Sequence, residues 1–266
     1  MTDRKTIALG TVWEQAWRFC RAEAGLLAPL ALLGFGLPLV VLDLVMPEKW
    51  LADGRVEPGL WMLWIPPHLL FSLLGTLSIS ALTARGGISV REALLTGIGR
   101  MPAGIAVALL GFGAVMAVSL PVGIVAGIES ALLGKPGPLS LVAYLAALVA
   151  LAWLAMRLLP VWAAIAGTRD GGWAGARRTF ALTRGLAGHM LLLRIVAWVS
   201  QIVVMSVVML PARAIFTVLG RVTGGADITD LLAMLTGSAV AATVVTLWTV
   251  FVAMLYRQVE AGSSGT

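Results

Sequence analysis

The residues with the clearest chemical potential are ionisable or polar side chains inside long apolar runs. They are His68, Arg157, Arg194 and Gln201. Because a charge in hydrocarbon is costly, such a side chain either bonds protein carbonyls or lines a polar cavity for an ion, a substrate or a lipid headgroup. We predict an intramembrane polar site at these residues. The structural alternative is snorkelling, a carbonyl bond or an interhelical hydrogen bond.

A second group of candidate residues consists of arginines in the short segments that connect the apolar runs. They are Arg18, Arg21, Arg177, Arg178 and Arg184. Guanidinium groups bind phosphate through paired hydrogen bonds, and basic segments beside a membrane attract anionic lipid. We therefore predict that these arginines contact anionic lipid headgroups or a membrane-bound partner.

Motifs of the common enzyme classes are missing from the sequence. It contains no Gly-Lys-Ser/Thr phosphate loop, no HExxH and no serine-centred elbow. Its single cysteine, Cys20, and its two histidines, His68 and His189, have no zinc or haem spacing. We expect no enzymatic activity, no metal site and no cofactor.

The composition is that of an integral membrane protein. Of the 266 residues, 59% are hydrophobic and 12% are charged, whereas soluble domains are about half apolar and about one-quarter charged. The net charge is +6, but the basic residues lie mostly beside apolar runs, which is the positive-inside pattern. Membrane lipid, and not nucleic acid, is the expected partner.

Six apolar runs are long enough to cross a ~30 Å hydrocarbon core. They cover residues 24–46, 59–83, 103–127, 139–167, 189–210 and 231–256, and residues 257–266 are expected to form a disordered tail. Arg157 is expected well inside the fourth run, and Pro211 is expected to end the fifth. The predicted fold is an all-α bundle of six transmembrane helices.

Three amphipathic stretches of similar design are predicted to be surface helices that lead into a span. They are Val12–Leu27, Val90–Ala106 and Trp173–Val196. Small residues occupy equivalent places in them, namely Ala16, Ala93 and Ala176. The pattern predicts a threefold helix-hairpin repeat with three interfacial helices on the cytoplasmic side, and for the first helix packing on the protein itself is the alternative.

The distribution of positive charge predicts the orientation. Twelve lysines and arginines fall on the side of the surface helices and five fall on the other side. The positive-inside rule then places both termini in the cytoplasm.

Three stretches carry a family resemblance: VREALLTGIGRMPAGIAVALL, ARRTFALTRGLAGHMLLLRIV and FVAMLYRQV. They resemble the membrane domain of bacterial glycerophosphoryl diester phosphodiesterases and its stand-alone six-helix relatives. Thr179 before the Leu-Thr-Arg-Gly run, and Arg157 followed by Pro160, occupy places typical of that family. The resemblance implies a multi-pass protein of the bacterial inner membrane. It does not imply phosphodiesterase activity, because the soluble catalytic barrel has no counterpart in this sequence.

These observations favour a non-catalytic inner-membrane scaffold or accessory protein whose basic cytoplasmic face contacts anionic lipid or a membrane partner. One alternative is a small transporter or lipid-handling protein with a cavity near Arg157 and His68. Another is a subunit of a larger membrane complex, which would bury apolar surface against other chains.

Overall fold

The computed structural model describes residues 9–46, 59–135, 137–167, 174–175, 177–179, 187–223 and 226–263. All the secondary structure in these ranges is helical. Six helical segments are long and apolar enough to cross a membrane. The all-α fold class and the number of such segments are therefore confirmed.

The first described helix is short and packs on the bundle. Helix α1 covers Leu9–Ala22, and its Val12 and Ala16 are completely buried. Both belong to a core cluster that includes Val250, Phe251 and Leu255 near the C-terminus. One face of α1 is therefore held by protein, which is the alternative considered for the first surface helix.

The first span is one continuous rod made of three helical segments. Helix α2 covers Ala24–Ala31, a π-helical turn covers Leu32–Gly36, and α3 covers Leu37–Val45. Pro38 has no N–H to donate to the preceding turn, and a π-turn in front of it is a common way to accommodate that loss. The wider turn brings Gly34 against the next span.

The second span lies at the centre of the bundle. A short 3-10 segment, Leu60–Trp64, leads into α4, Ile65–Arg85. Helix α4 contacts the first span and the later helices over Val90–Leu133, Val161–Gly167 and Ala226–Ser263, and its Ser78, Ser80 and Thr83 are buried.

The third span is much longer than predicted. Helix α5 runs without a break over Val90–Leu133, 44 residues, which corresponds to ~66 Å of helix. Ser89 and Glu92 form a capping box at its start. The expected surface helix at Val90–Ala106 and the expected span are thus parts of one helix.

The fourth predicted run is divided in two. Helix α6 covers Pro138–Leu158, and a short helix α7 covers Val161–Gly167. Pro160 causes the break, because it lacks an N–H and its ring clashes with the preceding turn. The expectation for Arg157 needs correction, since this residue is in the last turn of α6 and not in the middle of a continuous span.

The last two helices are also longer than expected. Helix α8 covers Ala187–Thr223 and passes through Pro211, which does not end it. Membrane helices tolerate such a proline when neighbouring groups satisfy the freed carbonyl. Helix α9 covers Ala226–Ser263, so the predicted disordered tail is helical as far as Ser263.

Candidate functional site

A cavity of about 370 Å³ lies between α4, the α6–α7 junction, α8 and α9. Its wall contains five polar or charged side chains and three tryptophans. The polar residues are Thr76, Ser80, Arg194, Gln201 and Thr249, and the tryptophans are Trp162, Trp198 and Trp248. Five helices, α4, α6, α7, α8 and α9, therefore build one amphipathic cavity.

Helix α8 contributes the strongest polar groups. Leu193, Arg194, Ala197, Trp198 and Gln201 line the cavity together. Positions separated by three, four and seven residues share one face of an α-helix. Arg194 and Gln201 are consequently placed ~10 Å apart along that face.

The opposite wall carries hydroxyl groups. Thr76 Oγ1 donates a hydrogen bond to the Ser72 carbonyl at 2.8 Å, and Thr249 Oγ1 donates to the Val245 carbonyl at 2.8 Å. A hydroxyl that donates within its own helix still has lone pairs for a further donor. These oxygens suit the N–H or O–H groups of a ligand, or water.

The charge of the cavity is positive. Arg194 is its only charged side chain among the described lining residues. Neither of the two ion pairs in the described part of the chain involves Arg194. The side chain of Arg194 is exposed, so an anion can reach its guanidinium and accept paired hydrogen bonds from it.

Aromatic packing connects the cavity wall to α1. The rings of Trp248 and Phe251, both in the wall, have centroids 5.3 Å apart. Trp13 of α1 packs on both, at 5.9 Å from Trp248 and 5.8 Å from Phe251. The first helix therefore supports this wall from behind.

Of the four residues predicted to form an intramembrane site, the structure brings Arg194 and Gln201 together. His68 does not line this cavity and lies near the start of α4. The side chain of Arg157 lies outside the described residues, although Leu158 beside it is in the wall. The cavity around Arg194 does not include His68, and a cavity near Arg157 and His68 stays a prediction.

The predicted basic surface is less uniformly cationic than its sequence suggests. Arg178 forms a 2.7 Å ion pair with Glu260 of α9, and Arg18 lies 3.8 Å from Glu14. Arg21 stacks on Trp17, with 5.0 Å between the guanidinium carbon and the ring centroid. Arg177 is exposed, and Arg184 lies outside the described residues.

Several side chains of the cavity were not predicted as functional. Ser80, Trp162, Trp248 and Thr249 come from helices that are distant in sequence. The signal in α9 is Val245, Trp248, Thr249 and Val252, which share one helix face. That spacing is ordinary for a buried helix face, so it indicates a cavity only when the other helices are in place.

Comparison with known proteins found no match for this chain among protein-family models, curated proteins or solved structures.

Proposed function

We propose that this chain is a non-catalytic membrane protein that binds an anionic amphiphile, with the acidic headgroup at Arg194 and the apolar part against the tryptophan-rich wall. The observation that carries the proposal is the presence of Arg194 in a cavity of about 370 Å³ without a carboxylate among its described lining residues. The lining groups are a guanidinium, an amide and hydroxyls, which bind and orient a ligand.

The position of Arg194 along its helix suits a lipid headgroup. It lies seven residues after Ala187, the first residue of α8, which corresponds to ~10 Å along the axis. A phosphate near the membrane interface can reach a guanidinium at that depth, and tryptophan is favoured at the same level. The same cavity contains three tryptophans.

The test measures which lipids remain bound to the purified protein. We expect Arg194→Gln to reduce retention of anionic phospholipid by roughly ten-fold or more, because a hydrogen bond to a charged group contributes ~1.5–3 kcal/mol. Arg221→Gln is the matched control, since Arg221 lies in the last turn of the same helix and away from the cavity. Equal retention by wild type and Arg194→Gln in native mass spectrometry contradicts the proposal.

A second candidate is lipid contact by the basic face. Arg21 and Arg177 are exposed, and Arg21 is stacked on the partly exposed Trp17, an arrangement suited to a membrane interface. Arg178 contributes less, because Glu260 neutralises it. Replacing Arg21 and Arg177 with glutamine is expected to weaken binding to vesicles with anionic lipid, and unchanged binding excludes this candidate.

We also propose a bacterial inner-membrane location with both termini in the cytoplasm. The support is the positive-inside distribution of lysine and arginine, together with the 3.2 Å hydrogen bond that Gln258 Nε2 of α9 donates to Gln15 Oε1 of α1 and that joins the first described helix to the C-terminal part of α9. That this chain is related to the membrane domain of the phosphodiesterases stays a prediction. The threefold repeat stays one too, and α5 differs from α1–α2 in having no break.

A further inference from the structure

A second pocket, of about 740 Å³, lies near the opposite ends of α8 and α9, beside the end of α3. Its lining combines thioethers with charged side chains. The thioethers are those of Met46, Met205, Met209 and Met234, and the charged residues are Asp43, Asp230 and Arg213. It shares no lining residue with the cavity around Arg194.

Three of the methionines lie near the contact between α8 and α9. Met209 of α8 lies against Gly237 of α9, because its Sδ is 3.6 Å from the position that a Cβ on Gly237 would occupy. Met234 is three residues before Gly237 and therefore on the same face of α9. Met205 is one turn before Met209 on α8. The three side chains converge on one side of the α8–α9 contact.

The methionine side chains of this pocket are more buried than its charged side chains. All four methionines are half-buried, whereas Asp43, Asp230 and Arg213 are exposed. Two carboxylates and one guanidinium give the pocket a formal charge of −1. The arrangement is a soft, sulfur-rich interior with a rim that attracts a single positive charge.

We propose that this pocket binds a soft monovalent cation, Cu⁺ or Ag⁺. Thioethers are soft ligands that select Cu⁺, and the flexible methionine side chain can adjust to bring its sulfur to an ion. Calcium takes six to eight oxygen ligands, which two aspartates do not provide. Structural zinc sites take thiolate or imidazole ligands, and the described lining contains neither.

Silver is the suitable probe, since Ag⁺ needs no reductant. The thiol of Cys20 also binds silver, so all measurements use full-length protein carrying Cys20→Ala. The test variant adds Met205→Leu and Met209→Leu, and the matched control adds Met62→Leu and Met116→Leu, which lie outside the pocket. Leucine keeps the side-chain volume close to that of methionine, so the packing is preserved.

We expect the Cys20→Ala protein and the control to retain one Ag⁺ per chain from silver nitrate in chloride-free buffer. The Met205/Met209 variant should bind it at least about ten-fold more weakly. Asp230→Asn should also weaken binding, and this variant provides the test if the double leucine variant does not fold. Failure of the Cys20→Ala protein to retain silver overturns the proposal, as does equal retention by the test and control variants; in either case the methionines only pack the crossing.

Discussion

Gly34 and Gly75 meet backbone to backbone where the first span crosses α4. A Cβ on Gly34 would lie 2.5 Å from the Cα of Gly75, and a Cβ on Gly75 would lie 2.8 Å from the Cα of Gly34. The π-helical turn Leu32–Gly36 contains the first of these glycines. Small residues let the backbones of two membrane helices approach closely and make van der Waals contacts. Larger residues would hold the backbones apart.

The first prediction follows from this crossing. We expect Gly75→Ala to destabilise the protein by ~1–3 kcal/mol, because the added methyl group overpacks a contact made by backbone atoms. Gly123→Ala is the control, since Gly123 has no atom within 4 Å of its added Cβ. Thermal unfolding in detergent, followed by tryptophan fluorescence, compares the two. Equal melting temperatures would show that the helices do not approach this closely.

The second prediction concerns the start of α6. The Glu129 carboxylate accepts hydrogen bonds from the backbone N–H groups of Gly137, Leu139 and Ser140, at 2.9, 3.0 and 2.7 Å. Helix N-termini leave such donors without intrahelical partners and favour negative charge. We expect Glu129→Gln to lower the melting temperature, because the neutral amide accepts these bonds less strongly. Glu14→Gln, on the exposed side of α1, is expected to change it little.

The third prediction uses the link between the C-terminal helix and the central span. Arg257 donates a hydrogen bond to the carbonyl of Thr83 at 3.1 Å. Arg257→Met removes a charged donor from a partly buried carbonyl, at a cost of ~1–3 kcal/mol. Limited proteolysis at the C-terminal end of α9 should therefore become faster in this variant. An unchanged cleavage rate would mean that the bond contributes nothing to holding α9 against α4.

The fourth prediction is a pH dependence at Cys20. Burial raises the pKa of this thiol to about 11, above its ordinary value of about 8.5. Since the thiolate is the nucleophile, labelling by iodoacetamide should stay slow through pH 9 and rise only near pH 11. The unfolded chain ionises at the lower pKa, so the stability contributed by the neutral thiol is full below about pH 8.5 and is lost as the pH rises from there to about 11.

A variant with an exposed thiol is the control for that experiment. Thr11→Cys in a Cys20→Ala background places the thiol at an exposed position of the same helix. Its labelling rate should rise around pH 8.5, where an unperturbed thiol ionises. If Cys20 and this exposed thiol show the same pH profile, α1 does not bury Cys20.

The sequence was sufficient to predict the fold class, because the length of an apolar run and its small number of charged residues can be read from one continuous segment. It was also sufficient to nominate Arg194 and Gln201, since a polar residue in an apolar run stands out locally. The rest of the cavity was not predictable, because Ser80, Trp162 and Thr249 meet only through contacts among separate helices.

Helix ends were the weakest predictions, and prolines account for two of the errors. Pro160 divides a predicted span, whereas Pro211 lies inside a continuous helix. Proline always removes one hydrogen bond, but neighbouring segments decide whether the helix bends, breaks or continues. The residues that make that decision are not adjacent in the sequence.

The packing of Trp13 against Trp248 and Phe251 has a thermodynamic consequence for ligand binding. A molecule that occupies the cavity and shifts those rings must change the docking free energy of α1, and undocking α1 must change the affinity for that molecule by the same factor. Occupancy of the cavity is therefore expected to be coupled to the docking of α1, although α1 contributes no residue to the described lining.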